Sequence, residues 1–326
     1  MRVLVVTNMY PTVESPSFGS FVYDQVVALR EVGASVDVLF INGRASTWNY
    51  VWAFPRLWLR LLRGRYDVIH AHYILAGLVA RAQWGHRLVL THHGVEVLGI
   101  PRWHGWLCRL ATPLFDQVIY TGEHLRRALD DADGWVIPCG IDLEQFSPRP
   151  RLESRARLGL PTNERLVLWA GEHRRPEKRY ELAEQAMQQV RRTLPDARLV
   201  LVSDQPHSVI PAYMNACDAL VLTSVGEGSP MVIKEAMACN LPIVSLRVGD
   251  VADIVGDTHG CAFADDDPAD LARQLVLVLG EPRRTDGRAR VQHLSHRRIA
   301  QRLLDVYARA VEPRAKLRGT REPHGA

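Results

Sequence analysis

Short β-rich runs alternate with helix-length segments along almost the whole chain, and this alternation restricts the fold more than any other feature. Strands separated by crossover helices can only pair in parallel, with helices covering both faces of the sheet. Apolar runs near 2 to 6, 35 to 41, 67 to 70, 87 to 91, 117 to 120 and 134 to 137 read as one strand series. A second series starts at 166 to 170 and continues near 197 to 203, 218 to 222, 242 to 246 and 260 to 263. At ~150 residues per domain, 326 residues make about two domains, each with its own core. The expected fold is therefore α/β, with two facing Rossmann-like units. Pro148, Pro150 and Pro161 interrupt the pattern between the series and mark a linker. The boundaries follow as 1 to 148, 149 to 295, a helix over 296 to 312 that returns to the first domain, and a polar, disordered tail over 313 to 326.

Several function classes are excluded early. A formal charge of +4 is too small for a general nucleic-acid binder. No apolar run approaches the ~20 residues of a membrane span, and no secretory leader pattern opens the chain, so a cytoplasmic protein is expected. The five cysteines are odd in number and widely spaced, which suits buried thiols better than disulfides or a zinc site. Two nucleotide-type sheets invite a dehydrogenase reading, yet no Gly-x-Gly-x-x-Gly follows any strand and a P-loop is absent. The first strand instead runs through a long loop to a single glycine, Gly19, before the first helix. In such folds ligands lie beyond the carboxyl ends of the strands, which here means the cleft between the two sheets.

The most informative segment runs from Gly226 to Ala238. A small-residue loop leads to Ser229, a good N-cap, and Pro230, suited to the first helical position. The amides of Met231 and Val232 then lack intrahelical acceptors, and with the helix dipole they form an anion pocket suited to a diphosphate. Glu227 stands at the mouth of that pocket, beside Gly228, and Glu235 lies further along the helix. A carboxylate of this kind can accept both hydroxyls of a ribose, so Glu235 is expected to read the nucleoside and Glu227 to reach the attached sugar.

Two glutamates with seven residues between them, in the run Glu227-Gly-Ser-Pro-Met-Val-Ile-Lys-Glu235-Ala-Met-Ala-Cys-Asn-Leu-Pro-Ile-Val244, resemble the donor-binding signature of retaining GT-B glycosyltransferases of the group 1, family 4 class. The turn after the strand at 166 to 170 is similar as well: Arg175 and Lys178, with Arg174 as a substitute for Arg175, match the cations that grip the donor diphosphate in that class. His93, directly before Gly94, matches the histidine beside the donor sugar, and His72 and His92 are secondary candidates. Asn215 and Asp218 resemble the segment leading to the signature loop, and Pro138 to Asp142 the exit from the first domain. The resemblance departs from the class at the loop around Gly19, which has one glycine where two are common, and between Val202 and Pro211, where the connection is short.

The resemblance implies a GT-B fold with an interdomain cleft. It also implies transfer of a sugar from a nucleoside diphosphate donor to an acceptor hydroxyl with retention, by a front-face mechanism needing neither metal nor cofactor. UDP-sugars are the first expectation for the donor and GDP-mannose the second; the acceptor is a glycan, lipid-linked or small. A nucleotide-sugar 2-epimerase and a non-catalytic subunit of the same fold are the alternatives. Asp265 and Asp267 form an Asp-x-Asp pair, but Asp267 precedes Pro268 and an apolar-periodic helix, an N-cap context rather than a metal site.

Between Arg44 and Arg109 nine arginines face two acids, Asp67 and Glu96, a local charge of +7. Within that region residues 48 to 65 read as a basic helix rich in tryptophan, with Arg56, Arg60 and Arg63 on one stripe and Leu57, Trp58, Leu61 and Leu62 beside it. Trp103 and Trp106 repeat the composition. This is the pattern of a helix lying on an anionic membrane surface, expected here at the inner face; the competing expectation packs the tryptophans on the sheet.

Overall fold

The structure is a computed structural model that describes residues 1–16, 18–98, 102–203, 205–281 and 283–312. The tail expected over 313 to 326 lies outside the described residues. In the first half, β1 (Arg2–Thr7), β2 (Ser35–Phe40), β3 (Val68–His72), β4 (Arg87–His92), β5 (Gln117–Tyr120) and β6 (Trp135–Val136) form a parallel sheet in the order β2-β1-β3-β4-β5-β6. The helices α1 (Ser20–Glu31), α2 (Trp48–Arg63), α3 (Ile74–Arg81), α4 (Arg102–Ala111) and α5 (Glu123–Ala128) connect these strands, and α6 (Arg151–Leu158) starts the second half.

There β7 (Arg165–Ala170), β8 (Ala197–Val202), β9 (Ala219–Leu222), β10 (Ile243–Leu246) and β11 (Ala262–Ala264) pair in parallel in the order β11-β10-β9-β7-β8. Between and after them run α7 (Tyr180–Thr193), α8 (Ile210–Ala216), α9 (Met231–Ala238), α10 (Val251–Val255), α11 (Pro268–Gly280), α12 (Gly287–Val291) and α13 (His296–Val311). Strands such as β3 and β9 are buried at every residue, as expected of a sheet covered on both faces. The fold is the two-sheet GT-B arrangement.

Both sheets share one topological feature: the first strand of each lies beside the third, β1 against β3 and β7 against β9. The chain reverses its winding direction there, so the loops after β1 and β7 part and leave a crevice at the strand ends. The helix α13 crosses back onto the first half and packs on α1, with the Tyr307 hydroxyl 2.6 Å from His70 Nδ1. One continuous core joins Val3 and Val26 of the first half, Leu168 and Ile233 of the second, and Leu303 and Val306 of α13. Asn215 and Asp218 serve the linker. The Asp218 carboxylate accepts from buried Arg155 at 2.7 Å and from the Leu166 amide at 2.7 Å, while Asn215 donates to the Ser147 carbonyl at 3.0 Å. Asp267 caps α11 by accepting from the amides of Ala269 and Asp270 at 3.0 and 2.9 Å, and Asp266 pairs with Arg179. Among the described residues no helix is long and apolar enough to cross a membrane.

Candidate active site

A cleft of about 710 Å³ opens where the carboxyl ends of the two sheets face each other; Gly19, His93, Arg175, Lys178, Glu235 and the run from Glu227 to Val232 line it, whereas His72, His92, Arg174, Asn215 and Asp218 do not. Gly19 ends the loop after β1 and begins α1 at φ +71°; a Cβ there would lie 2.3 Å from the Met9 carbonyl carbon, so only glycine lets the loop fold this tightly. His93 follows β4 directly. Across the cleft, Glu227 and Gly228 follow β9, and the Gly228 backbone touches that of the first domain: a Cβ on Gly228 would meet the His93 carbonyl oxygen at 2.0 Å.

The helix start differs by one residue from the expectation. Pro230, at φ −67° and ψ 120°, is the N-cap, and Met231 is the first helical residue. Ser229 does not cap; its hydroxyl donates to the Asp250 carboxylate. At an N-cap the serine oxygen would accept from a first-turn amide; here the helix begins one residue later and the hydroxyl is oriented by Asp250 instead. The amides of Met231 and Val232 nevertheless stand at the first turn, on the cleft wall.

The cations come from the turn after β7. Lys178 Nζ lies 2.5 Å from Glu227 Oε1, and Arg175 Nε donates to Glu177 at 2.7 Å. Both residues line the cleft, whereas Arg174 is exposed and does not. Deeper in the wall, Glu235 Oε1 accepts from His207 Nε2 at 2.7 Å, and Asp24 Oδ2 lies 4.0 Å from the other ring nitrogen. Burial works against charge on His207, but Glu235, Asp24 and Asp142 outweigh it and raise its pKa to about 9. His207 is therefore a cation at neutral pH.

On the opposite wall His93 lines the cleft, backed by the buried His72 and His70. His93 Nε2 and His72 Nδ1 are 3.0 Å apart, and Gln25 reaches the other nitrogen of His72 at 3.2 Å. Burial holds His93 down to about 4 and His70 to about 3, and pushes His72 well below its usual value. The His93 backbone is fixed by its amide, which donates to buried Glu96 at 2.7 Å. His92 turns away from the cleft to Thr112, at 2.9 Å.

These opposite shifts predict a stability maximum between about pH 6.5 and 7. Above the unfolded pKa of ~6.5 the His207 contribution is lost progressively as pH rises through about 9, a difference on the order of 2 kcal/mol. Below ~6.5 the unfolded chain takes up protons that His70, His72 and His93 refuse when folded, so stability falls again on the acid side. Chemical denaturation from pH 5 to 9.5 checks this. His207→Gln should flatten the alkaline limb alone, and an unchanged limb would reject the ion pair as its cause.

Lys178, Arg175 and the first-turn amides of α9 on one wall thus face His93 on the other, across the cleft of a two-domain GT-B fold. Comparison with known proteins carries this further. Residues 2–145 match Glycosyltransferase Family 4 and residues 205–281 match Glycosyl transferases group 1. The chain is 29% identical over 308 residues to the D-inositol 3-phosphate glycosyltransferase of Nocardiopsis dassonvillei, covering 77% of this chain and 72% of that one. It is 25% identical over 324 residues to the putative teichuronic acid biosynthesis glycosyltransferase TuaC of Bacillus subtilis, covering 78% of this chain and 83% of that one. Among solved structures, sucrose-phosphate synthase from Thermosynechococcus elongatus superposes with a TM-score of 0.80 at 22% identity, covering 94% and 98% of the two chains. Anabaena HepE, solved in complex with UDP, superposes with 0.71 at 17% identity, covering 94% and 100%. The chain is an enzyme of the transferase class, a GT-B glycosyltransferase.

Sequence reasoning missed His207 and Asp250. His207 sits in the short connection between β8 and α8, and a histidine just past a strand's carboxyl end is the signal that points to it. Asp250 follows β10 and carried no motif at all.

Proposed function

We propose that the chain transfers a sugar from a nucleoside diphosphate sugar to an acceptor hydroxyl with retention at the anomeric carbon, without a divalent metal. The observation that carries this reading is the grouping of Lys178, Arg175 and the first turn of α9 around Glu227 in one cleft. Two side-chain cations and oriented amides can neutralise the departing diphosphate, the task a metal performs elsewhere. In this reading a donor diphosphate competes for Lys178, and the released Glu227 accepts from hydroxyls of the transferred sugar. Neutral His93 offers a hydrogen bond to the sugar from the first domain without adding charge. In front-face transfer the diphosphate oxygen takes the acceptor proton, so no separate general base is needed. Glu235, held by His207, faces the ribose. A UDP-sugar is the first donor to try, since HepE has been solved with UDP and with UDP-glucose; GDP-mannose is the second.

The test is product analysis with donor alone and with donor plus acceptor glycans, in excess chelator. Turnover that persists and yields a product of the donor's anomeric configuration supports the reading. Turnover abolished by chelation and restored by Mg²⁺ or Mn²⁺ would overturn metal independence, and an inverted product would overturn retention.

A further inference from the structure

Six of the eight tryptophans, Trp48, Trp52, Trp58, Trp84, Trp103 and Trp106, are between 49% and 81% exposed. All six lie in one part of the first domain. Tryptophan is rarely left this open, and a cluster of this kind marks a contact surface. In α2 only Ala53 and Leu57 are fully buried. At about 100° per residue, Trp48, Val51, Trp52, Trp58, Leu59 and Leu62 wrap the side pointing away from them, and all six are exposed. Arg56, Arg60 and Arg63 flank that apolar face on one edge. The helix is thus turned inside out relative to an ordinary surface helix, whose outer side is polar. The expectation that its tryptophans pack on the sheet is not met.

A second helix repeats the arrangement. In α4, His104 and Cys108 are buried, while Trp103, Trp106 and Leu110 stand exposed on one stripe. Both α2 and α4 pack against α3, so they lie in one layer on the same side of the sheet. Trp84, just past the end of α3, meets Trp58 edge-on at 6.0 Å, and Trp58 Nε1 donates to the Ala82 carbonyl at 2.6 Å, so these rings are held in place while their faces remain open.

We propose that this α2/α4 face docks on an anionic lipid bilayer. Charge argues for lipid over a second protein: α2, α3 and α4 carry arginines and no acidic residue, so like charge on this layer opposes a second copy of itself. Protruding indoles beside arginines fit the headgroup boundary, where the ring is half wet and the guanidinium meets phosphate. The N-terminal end of α2 also borders the cleft, with Tyr50 on the inward side of the helix. Thr47 and Tyr50, at the start of α2, and Tyr73, before α3, line the cleft, so a bilayer under this face borders the cleft mouth. An acceptor hydroxyl carried on a membrane lipid would be presented there. The docking itself stands whether or not the transfer reading does.

The test is flotation of the full chain with phosphatidylglycerol and with phosphatidylcholine vesicles at low and high salt, together with quenching of tryptophan fluorescence by brominated lipids. We expect binding to the anionic vesicles only, weakened by salt, with quenching that shows indole insertion. Each arginine near an anionic surface strengthens partitioning by about fivefold. Reversing Arg56 and Arg63, both exposed, should therefore lower binding more than tenfold, and Trp52→Ser with Trp106→Ser should reduce quenching while leaving the circular dichroism unchanged. Equal partition to both vesicle types would overturn the proposal. So would a dimer in sedimentation that the Trp→Ser changes dissolve, since the face would then belong to a second copy.

Discussion

Lys178→Ala is expected to lower turnover by roughly 10² to 10³, the usual loss when a positioned charge that stabilises a developing anion is removed. The basis is geometric. Lys178 is held at the cleft wall by the short turn after β7, with its ammonium 2.5 Å from Glu227 and with Thr223 Oγ1 donating to its carbonyl at 2.9 Å. The backbone contact survives the substitution, so the turn keeps its place and only the ammonium is lost. Glu227 then keeps a negative charge facing an incoming diphosphate, which adds repulsion to the missing attraction. Steady-state kinetics with donor and acceptor, beside a thermal melt, separate this from misfolding. A melt within a few degrees of wild type with unchanged turnover would show that the charge of the leaving group is met elsewhere, with Arg175 the next candidate.

The fold and much of the cleft were legible in the sequence because both rest on local signals. Alternation of strand and helix fixes parallel pairing, and every strand named from the sequence forms within two residues of its place. The segment from Gly226 to Ala238 was legible because small residues, a proline and spaced glutamates are local too, although the helix begins one residue later than Ser229 suggested. The exposed outer face of α2 was less so. An amphipathic projection says which residues share a stripe and is silent on which stripe meets the sheet, and here the two buried positions, Ala53 and Leu57, decide it. His207 and Asp250 were hidden for a different reason. Each acts through a partner far along the chain, Glu235 and Ser229 respectively, and such pairings appear only when the topology brings the loops together.

Gly228→Ala is expected to cost about two orders of magnitude in turnover, and this follows from the contact that no local signal disclosed. The added Cβ would sit 2.0 Å from the His93 carbonyl oxygen, 2.9 Å from its carbonyl carbon and 3.0 Å from Gly94 Cα, all backbone atoms. None of these can rotate aside as a side chain would. The neighbourhood is tight on the other flank as well, since a Cβ on Gly249 would meet the Gly228 carbonyl at 2.6 Å. The loop bearing Glu227 must therefore move away from His93, parting the two walls that the proposed reaction needs together. A displacement near 1 Å at a reacting centre lowers rate by about 10²-fold, while the strain of overpacking costs roughly 1 to 3 kcal/mol of stability. Gly280→Ala serves as the control, because a Cβ there meets no atom within 4 Å at the end of α11. Turnover and melting temperature of both variants make the comparison. Wild-type turnover in Gly228→Ala would mean that the two domains part freely at this point, and that the cleft closes through contacts other than the one between Gly94 and Gly228.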